Sequence, residues 1–343
     1  MKNIAIIARY GSAAIWNCMK QHIELIEEAG YTTFIYVNKE IEDLSVLTAT
    51  YREKVILYSS KKELYSLMDK NQTQRIWIPE YNSAFYIATY AIRRNIPITY
   101  WVQGTVPDES YMRHGSKLKK LVLYSLEKIA FTLSSSFVYV SDAMASFYDK
   151  KHCKKKPYIV VPCISEYKEN DIIKERIKNS YVYIGGMSVW QCFEDTLRLY
   201  LKISSKNSIF HVITRETNKA EKIVAQIAPN HPEIKIYPIT DRNQIPNVLS
   251  QFEYGFLIRK SNPVNYVASP IKFLEYISCG VNVIMTDAVP YYADIIKKYN
   301  IGTVVSLSDQ DIKINMYNTQ ARNIYKEVFN KIIFIDRYKQ ILK

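Results

Sequence analysis

The sequence predicts an α/β protein of two parallel-sheet domains, and three observations carry that prediction. The chain has 343 residues, more than one typical core accommodates and enough for two domains of roughly 150–180 residues each. Short β-branched apolar runs alternate with helical patterns from one end to the other, as in repeated strand–helix–strand units. A polar, charged stretch from Cys163 to Asn179, CISEYKENDIIKERIKN, lacks a strong apolar period and divides those runs into two series.

The first series places strands near Asn3–Ala8, Thr33–Val37, Arg75–Pro79, Ile98–Gln103, Phe137–Val140 and Tyr158–Val161, with helices between them. The second places them near Tyr181–Ile184, Ile209–Ile213, Ile234–Tyr237, Tyr254–Ile258, Val281–Met285 and Gly302–Val305. Such continuous apolar runs suit strands covered by helices on both faces. Two Rossmann-like domains are therefore expected: residues 1–163, a linker over 164–179, residues 180–320, and a helical segment over 321–343.

Hydrophobic residues at 48% and charged residues at 23% are ordinary globular values and argue against long disorder. The sequence has no apolar run of about 18 residues, and MKNIAIIARYGS is interrupted too early to serve as a signal peptide. A cytoplasmic location is expected. Five cysteines without a C-x-x-C pair or zinc spacing read as reduced thiols. The net charge of +13 is spread widely and no nucleic-acid motif accompanies it, so nucleic acid is not an expected partner; phosphorylated small molecules and anionic lipid surfaces are. The 29 tyrosines, beside many Lys, Asn and Ile, read as compositional bias.

The most informative stretch is ASPIKFLEYISCGVNVIMTD, Ala268 to Asp287. Ser269 is placed to cap a helix, Pro270 suits its first position, and Gly280 suits its end. Val281 to Met285 then reads as a buried strand. Lys272 and Glu275 lie three apart on one helix face, near the end whose free N–H groups favour an anion. Two readings stay open: a surface ion pair, or a nucleotide site in which the carboxylate accepts from ribose hydroxyls while the lysine and helix N-terminus hold a diphosphate.

Parallel sheets bind ligands beyond the carboxyl ends of their strands, which selects particular loops. Those loops carry Gly11, Glu80, Gln103, Gly104, Gly185, Gly186, Arg215, Arg259 and Lys260, and all are expected to face a cleft between the domains. Arg259 and Lys260 fit either a diphosphate clamp or a solvated basic loop. Gly11 stands alone, whereas a dinucleotide fingerprint needs three glycines, so a nicotinamide or flavin dehydrogenase is disfavoured. Asp309-Gln310-Asp311 has the spacing of a metal-binding D-x-D but follows the last strand, where a polar turn is expected. Lys117, Lys119, Lys120 and Lys128 flank an apolar stripe in a helix that reads equally as a solvated face or as a surface for an anionic leaflet; Lys150 to Lys156 is a second basic tract.

The segment SPIKFLEYISCGVNVI resembles the donor-site helix of GT-B glycosyltransferases, specifically the retaining family four, or group 1. In that resemblance Glu275 matches a glutamate that binds the nucleotide ribose, and Val267 stands where the family has a second acid. YVYIGGMSVWQCFEDTLRLY, from Tyr181 to Tyr200, resembles the opening of the second lobe, with Gly185 and Gly186 beside the donor phosphates. Met187 and Ser188 replace the family's serine–arginine pair, so the resemblance leaves the clamp to Arg259, Lys260, Arg215 or Lys272. ITYWVQGTVPDES resembles the strand beside the transferred sugar, with Gln103 and Gly104 in place of the usual histidine and glycine, and YGSAAIWN resembles the acceptor loop through Gly11.

The resemblance implies a GT-B architecture, with the final helix crossing back onto the first lobe. It implies a nucleotide-diphosphate sugar donor, and a hydroxyl of a glycan or lipid-linked oligosaccharide as acceptor. It further implies retention, a role in bacterial surface polysaccharide or capsule synthesis, and location at the inner face of the membrane. Arg259, Lys260 and Gln103 would be catalytic. No cofactor and no essential metal are implied, since basic side chains and helix dipoles neutralise the departing diphosphate. A nucleotide-sugar epimerase of the same fold and an inactive GT-B subunit supporting a partner are the alternatives.

Overall fold

A computed structural model describes residues 2–9, 13–40, 51–152, 155–163, 175–238 and 244–343. The chain divides into two compact units: Met1–Pro162 with Lys331–Lys343, and Cys163–Asn330.

The first unit is a parallel sheet of β1 (Asn3–Ala8), β2 (Thr32–Asn38), β3 (Val55–Tyr58), β4 (Arg75–Ile78), β5 (Ile98–Val102), β6 (Ser136–Tyr139) and β7 (Tyr158–Val160), ordered β3-β2-β1-β4-β5-β6-β7. Its connections carry α1 (Ala13–Glu28), α2 (Lys61–Lys70), α3 (Tyr81–Arg94), α4 (Val106–His114), α5 (Lys117–Leu133) and α6 (Asp142–His152). β1 is central and its Ile4 to Ala8 are wholly buried, which explains its unbroken apolar sequence. Strand β3 was not expected. It lies at the sheet edge, where only Tyr58 of its short apolar run VILY is buried.

The second unit is a parallel sheet of β8 (Ile177–Ile184), β9 (Ile209–Thr214), β10 (Ile234–Pro238), β11 (Phe252–Leu257), β12 (Asn282–Met285) and β13 (Gly302–Val304), ordered β10-β9-β8-β11-β12-β13. Its helices are α7 (Phe193–Ile203), α8 (Thr217–Ile227), α9 (Ile245–Leu249), α10 (Pro263–Val267), α11 (Ile271–Ser278), α12 (Pro290–Tyr299) and α13 (Ala321–Val328); α14 (Lys331–Ile341) completes the first unit. One face of this sheet is covered by a cluster of Tyr181, Tyr183, Phe193, Tyr200, Phe210 and Phe256, so several of the abundant tyrosines are core residues.

Two boundaries differ from expectation. β8 begins at Ile177, inside the stretch read as a linker, because Ile177 N donates to Gln251 O at 2.8 Å and the preceding Arg176 binds the carbonyls of Phe252 and Cys279. Residues 164–174 of that stretch lie outside the described residues, as does Gly11. The final segment splits after Asn330: α13 packs on α11, with Phe329 beside Tyr292 at 6.4 Å, while α14 joins the first unit. There Tyr338 OH lies 2.6 Å from His22 Nδ1, and His22 sits 4.3 Å from Trp101 and 5.4 Å from Trp77 by ring centroids.

The second basic tract is largely structural. Lys151 lies 2.7 Å from the Glu127 carboxylate, and Lys156 donates to the carbonyls of Phe131 at 2.8 Å, Thr132 at 3.0 Å and Ser134, closing the C-terminus of α5. Cys153 and Lys154 lie outside the described residues.

Candidate functional site

In each sheet the strand order reverses at one place, between β1 and β4 and between β8 and β11. At such a switch the connecting helices leave to opposite faces and a crevice opens beyond the carboxyl ends of the two strands. In the second unit those ends run into Gly185–Gly186 and into Ile258–Arg259. Glycine and arginine are therefore placed side by side by topology.

Arg259 is 6% exposed, and its Nη1 donates to Ile258 O at 2.8 Å and to Gln191 O at 3.1 Å. Its main chain is fixed to the end of β12: Arg259 N donates to Thr286 Oγ1 at 3.0 Å, and that hydroxyl donates to Arg259 O at 2.6 Å. Lys272, in the first turn of α11, donates to Gln191 Oε1 and lies 5.0 Å from the centre of the Tyr183 ring. Gln191 thus touches both cations, one through its carbonyl and one through its side chain. Tyr183 OH donates to Gly186 O at 2.6 Å and lies 3.2 Å from Gln191 Oε1.

The two cations disfavour one another. Burial and then the charge of Arg259 hold the Lys272 ammonium well below the ordinary lysine range, with Glu275 acting the other way. Burial also lowers Arg259. Two like charges drawn out of water at one strand-end crevice make a site that an anion would relieve.

Gly185 is required by this packing. Its φ is +148°, and a Cβ there would collide with Lys272 Nζ. Glu275 is 4% exposed on the next turn of α11. The helix itself starts one residue later than expected: Pro270 occupies the cap, and Ser269 does not cap because its hydroxyl pairs with Tyr292 OH at 2.6 Å and accepts from Cys163 N at 3.3 Å. Gly280 ends the helix as read, at φ +75°, with Val281 N donating to Tyr276 O and Gly280 N to Ile277 O in the double bond of a Schellman turn.

Other expected residues lie outside the Gln191 bridge. Lys260 is 64% exposed, lines the same open depression as Arg259 and pairs with Asp195 at 2.8 Å. Arg215 is exposed at the end of β9, next to Glu216, whose carboxylate accepts from Met187 N at 2.6 Å. In the first unit Gln103 donates to Pro79 O at 2.7 Å, Gly104 O accepts from Tyr148 OH at 2.9 Å, and Glu80 accepts from Arg9 N at 2.5 Å across the β1–β4 switch. Asp309 and Asp311 are exposed in a turn.

Beside the basic pair, under α9, lies a cavity of about 340 Å³ lined by Ile184, Ile213, Tyr237, Pro238, Leu249, Phe252 and His211. On the other side an open depression of about 510 Å³ runs from Arg259 and Thr286 to Asp287 and Asp309. Sequence reasoning did not single out Gln191 and Tyr183. Their only signal was position in or just after β8.

The sequence matches no protein-family model and no curated protein. Solved structures match its fold over nearly its whole length. The lipopolysaccharide outer core galactosyltransferase WaaB, in apo form, is 12% identical with a TM-score of 0.74, covering 99% of both chains. Anabaena HepE, solved with UDP and glucose, is 11% identical with a TM-score of 0.68, covering 100% of this chain and 99% of its own. Sucrose-phosphate synthase from Thermosynechococcus elongatus is 11% identical with a TM-score of 0.66, covering 100% and 98%. These neighbours are GT-B glycosyltransferases, and the two α/β units described above have the GT-B fold.

Proposed function

We propose that the chain is a glycosyltransferase that moves a sugar from a nucleoside-diphosphate sugar to a hydroxyl of a glycan or lipid-linked glycan, with retention, in surface polysaccharide synthesis. The observation that carries this reading is the buried pair Arg259 and Lys272 at the β8–β11 switch, bridged by Gln191 and roofed by the Gly185–Gly186 turn. A diphosphate answers both charges at once. Glu275 would accept hydrogen bonds from the ribose hydroxyls, and the apolar cavity beneath α9 has the size and flat aromatic lining for a base. WaaB is a galactosyltransferase and HepE was solved with UDP and glucose, which supports a sugar nucleotide as the ligand class.

In this reading the bond between the sugar carbon and the diphosphate oxygen breaks as the acceptor oxygen forms its bond to the same carbon. The acceptor proton passes to the departing phosphate oxygen. Arg259 and Lys272 stabilise the charge that grows there, and the N-terminus of α11 adds its dipole, so the chemistry needs no essential metal. Gln103 and Gly104 of the first unit are read as groups for the sugar or acceptor.

Thermal-shift titration with UDP, GDP, dTDP and CMP tests the binding step. At least one diphosphate should raise the unfolding midpoint as its excess over the dissociation constant grows, and Glu275→Ala should lower affinity roughly tenfold or more. An absence of nucleotide-dependent stabilisation overturns the reading and leaves an inactive subunit. Isomerised sugar formed without any acceptor would instead make the chain an epimerase.

A further inference from the structure

His211 is a polar residue set in an apolar wall. Phe210 and Val212 of β9 belong to the aromatic cluster on one face of the sheet, so the alternation of the strand turns His211 and Ile213 to the other face, beneath α9. There His211 is 8% exposed and lines the cavity of about 340 Å³, its ring centre 4.5 Å from Phe252 and 5.7 Å from Tyr237. Among the described residues its Nε2 has no hydrogen-bond partner. The other polar side chains of the lining differ: Tyr237 and Gln244 are exposed, and Gln251 donates its amide to Asn247 O at 3.0 Å. A phenylalanine would fill the position of His211 without leaving a buried nitrogen unsatisfied.

The cavity adjoins the basic pair. Ile184 in its wall runs directly into Gly185, and Gly185 N donates to Ile213 O at 2.9 Å, so one rim of the cavity is the turn that packs on Lys272. Burial and then Lys235 keep the imidazole neutral at pH 7, with one ring nitrogen a donor and the other an acceptor. We propose that His211 selects the base of the nucleotide, its Nε2 sharing one hydrogen bond with the edge of the base while the apolar walls cover the ring. The proposal rests on the sugar-nucleotide reading above. An acyl chain would leave the nitrogen unpaired, and an inorganic anion would leave the walls uncovered. A neutral heteroaromatic ring with carbonyl or N–H groups on its edge answers both.

Calorimetry of the full chain with UDP, dTDP, GDP, CDP and ADP, and with inorganic pyrophosphate as a probe that has no base, tests it. One base, or uracil and thymine together, should be preferred roughly tenfold or more over the rest. His211→Phe keeps a flat ring and removes both nitrogens. It should weaken the preferred nucleotide roughly ten- to thirtyfold, level the preference and leave pyrophosphate affinity unchanged. His211→Gln, which restores a hydrogen-bonding group, should recover part of the loss. A wild-type chain that binds all five nucleotides alike, a phenylalanine variant that keeps the preference, or equal losses in the two variants overturns the assignment to His211 and leaves the sugar-nucleotide reading standing. Binding of none of the five overturns that reading and this one with it.

Discussion

Lys272 shows how a single side chain can report on its site. Its ammonium is depressed by burial and by Arg259, so on raising the pH it loses its proton earlier than an exposed lysine would. A bound diphosphate reverses that, restoring the charge. Binding should therefore take up protons, and affinity should fall as pH rises through the depressed range. Calorimetry of diphosphate binding in two buffers of different ionisation enthalpy measures the uptake, and Lys272→Met should abolish it. An unchanged proton count in that variant would remove Lys272 from the ligand. Gln191, which joins this lysine to Arg259, could not be found from the sequence, because the contacts that define it lie 81 and 68 residues away. Arg259 was legible because a strand end placed it. Lys260 beside it looked equivalent, and only the fold gives it Asp195.

At the scale of elements, the α11–β12 unit was legible almost residue by residue, since a glycine stop followed by a β-branched run leaves few alternatives. The start of α11 was not. Ser269 has the chemistry of a cap, but its hydroxyl is used across the unit by Tyr292, a contact no local pattern encodes. The edge strand β3 escaped although VILY is continuously apolar, because a run of four residues between charged and polar flanks is too short to fix a period. Gly280 separates the structural role of this element from its binding role. Gly280→Ala forces an alanine to φ +75° and brings its Cβ toward Arg176, so it should lower stability by about 1–2 kcal/mol in urea unfolding. Diphosphate affinity should remain, because the turn lies at the opposite end of α11 from Lys272. A loss of affinity larger than the loss of stability would tie the turn to the site.

For the molecule as a whole, each unit carries one buried histidine that resists protonation. Burial lowers His22 from its ordinary 6.5 to about 3 in the first unit, and burial with Lys235 lowers His211 to about 4 in the second. The unfolded chain then binds more protons than the folded one below pH 6.5, so stability falls as pH drops from that value toward the folded pKa. Each unit should lose about 2 kcal/mol between pH 6.5 and 5. Urea unfolding at the two pH values checks this, and His22→Asn should flatten the pH dependence of the first unit alone.

His22 meets Tyr338 of α14, and Arg337 of the same helix binds the carbonyl of Val160, so the first unit is finished by residues that follow the whole of the second. On a ribosome, the half made later would mature earlier. Until α14 emerges, the older half waits with Trp77, Trp101 and His22 short of their cover, and a stalled or frame-shifted message ahead of Lys331 would leave that greasy surface open to aggregation and proteolysis.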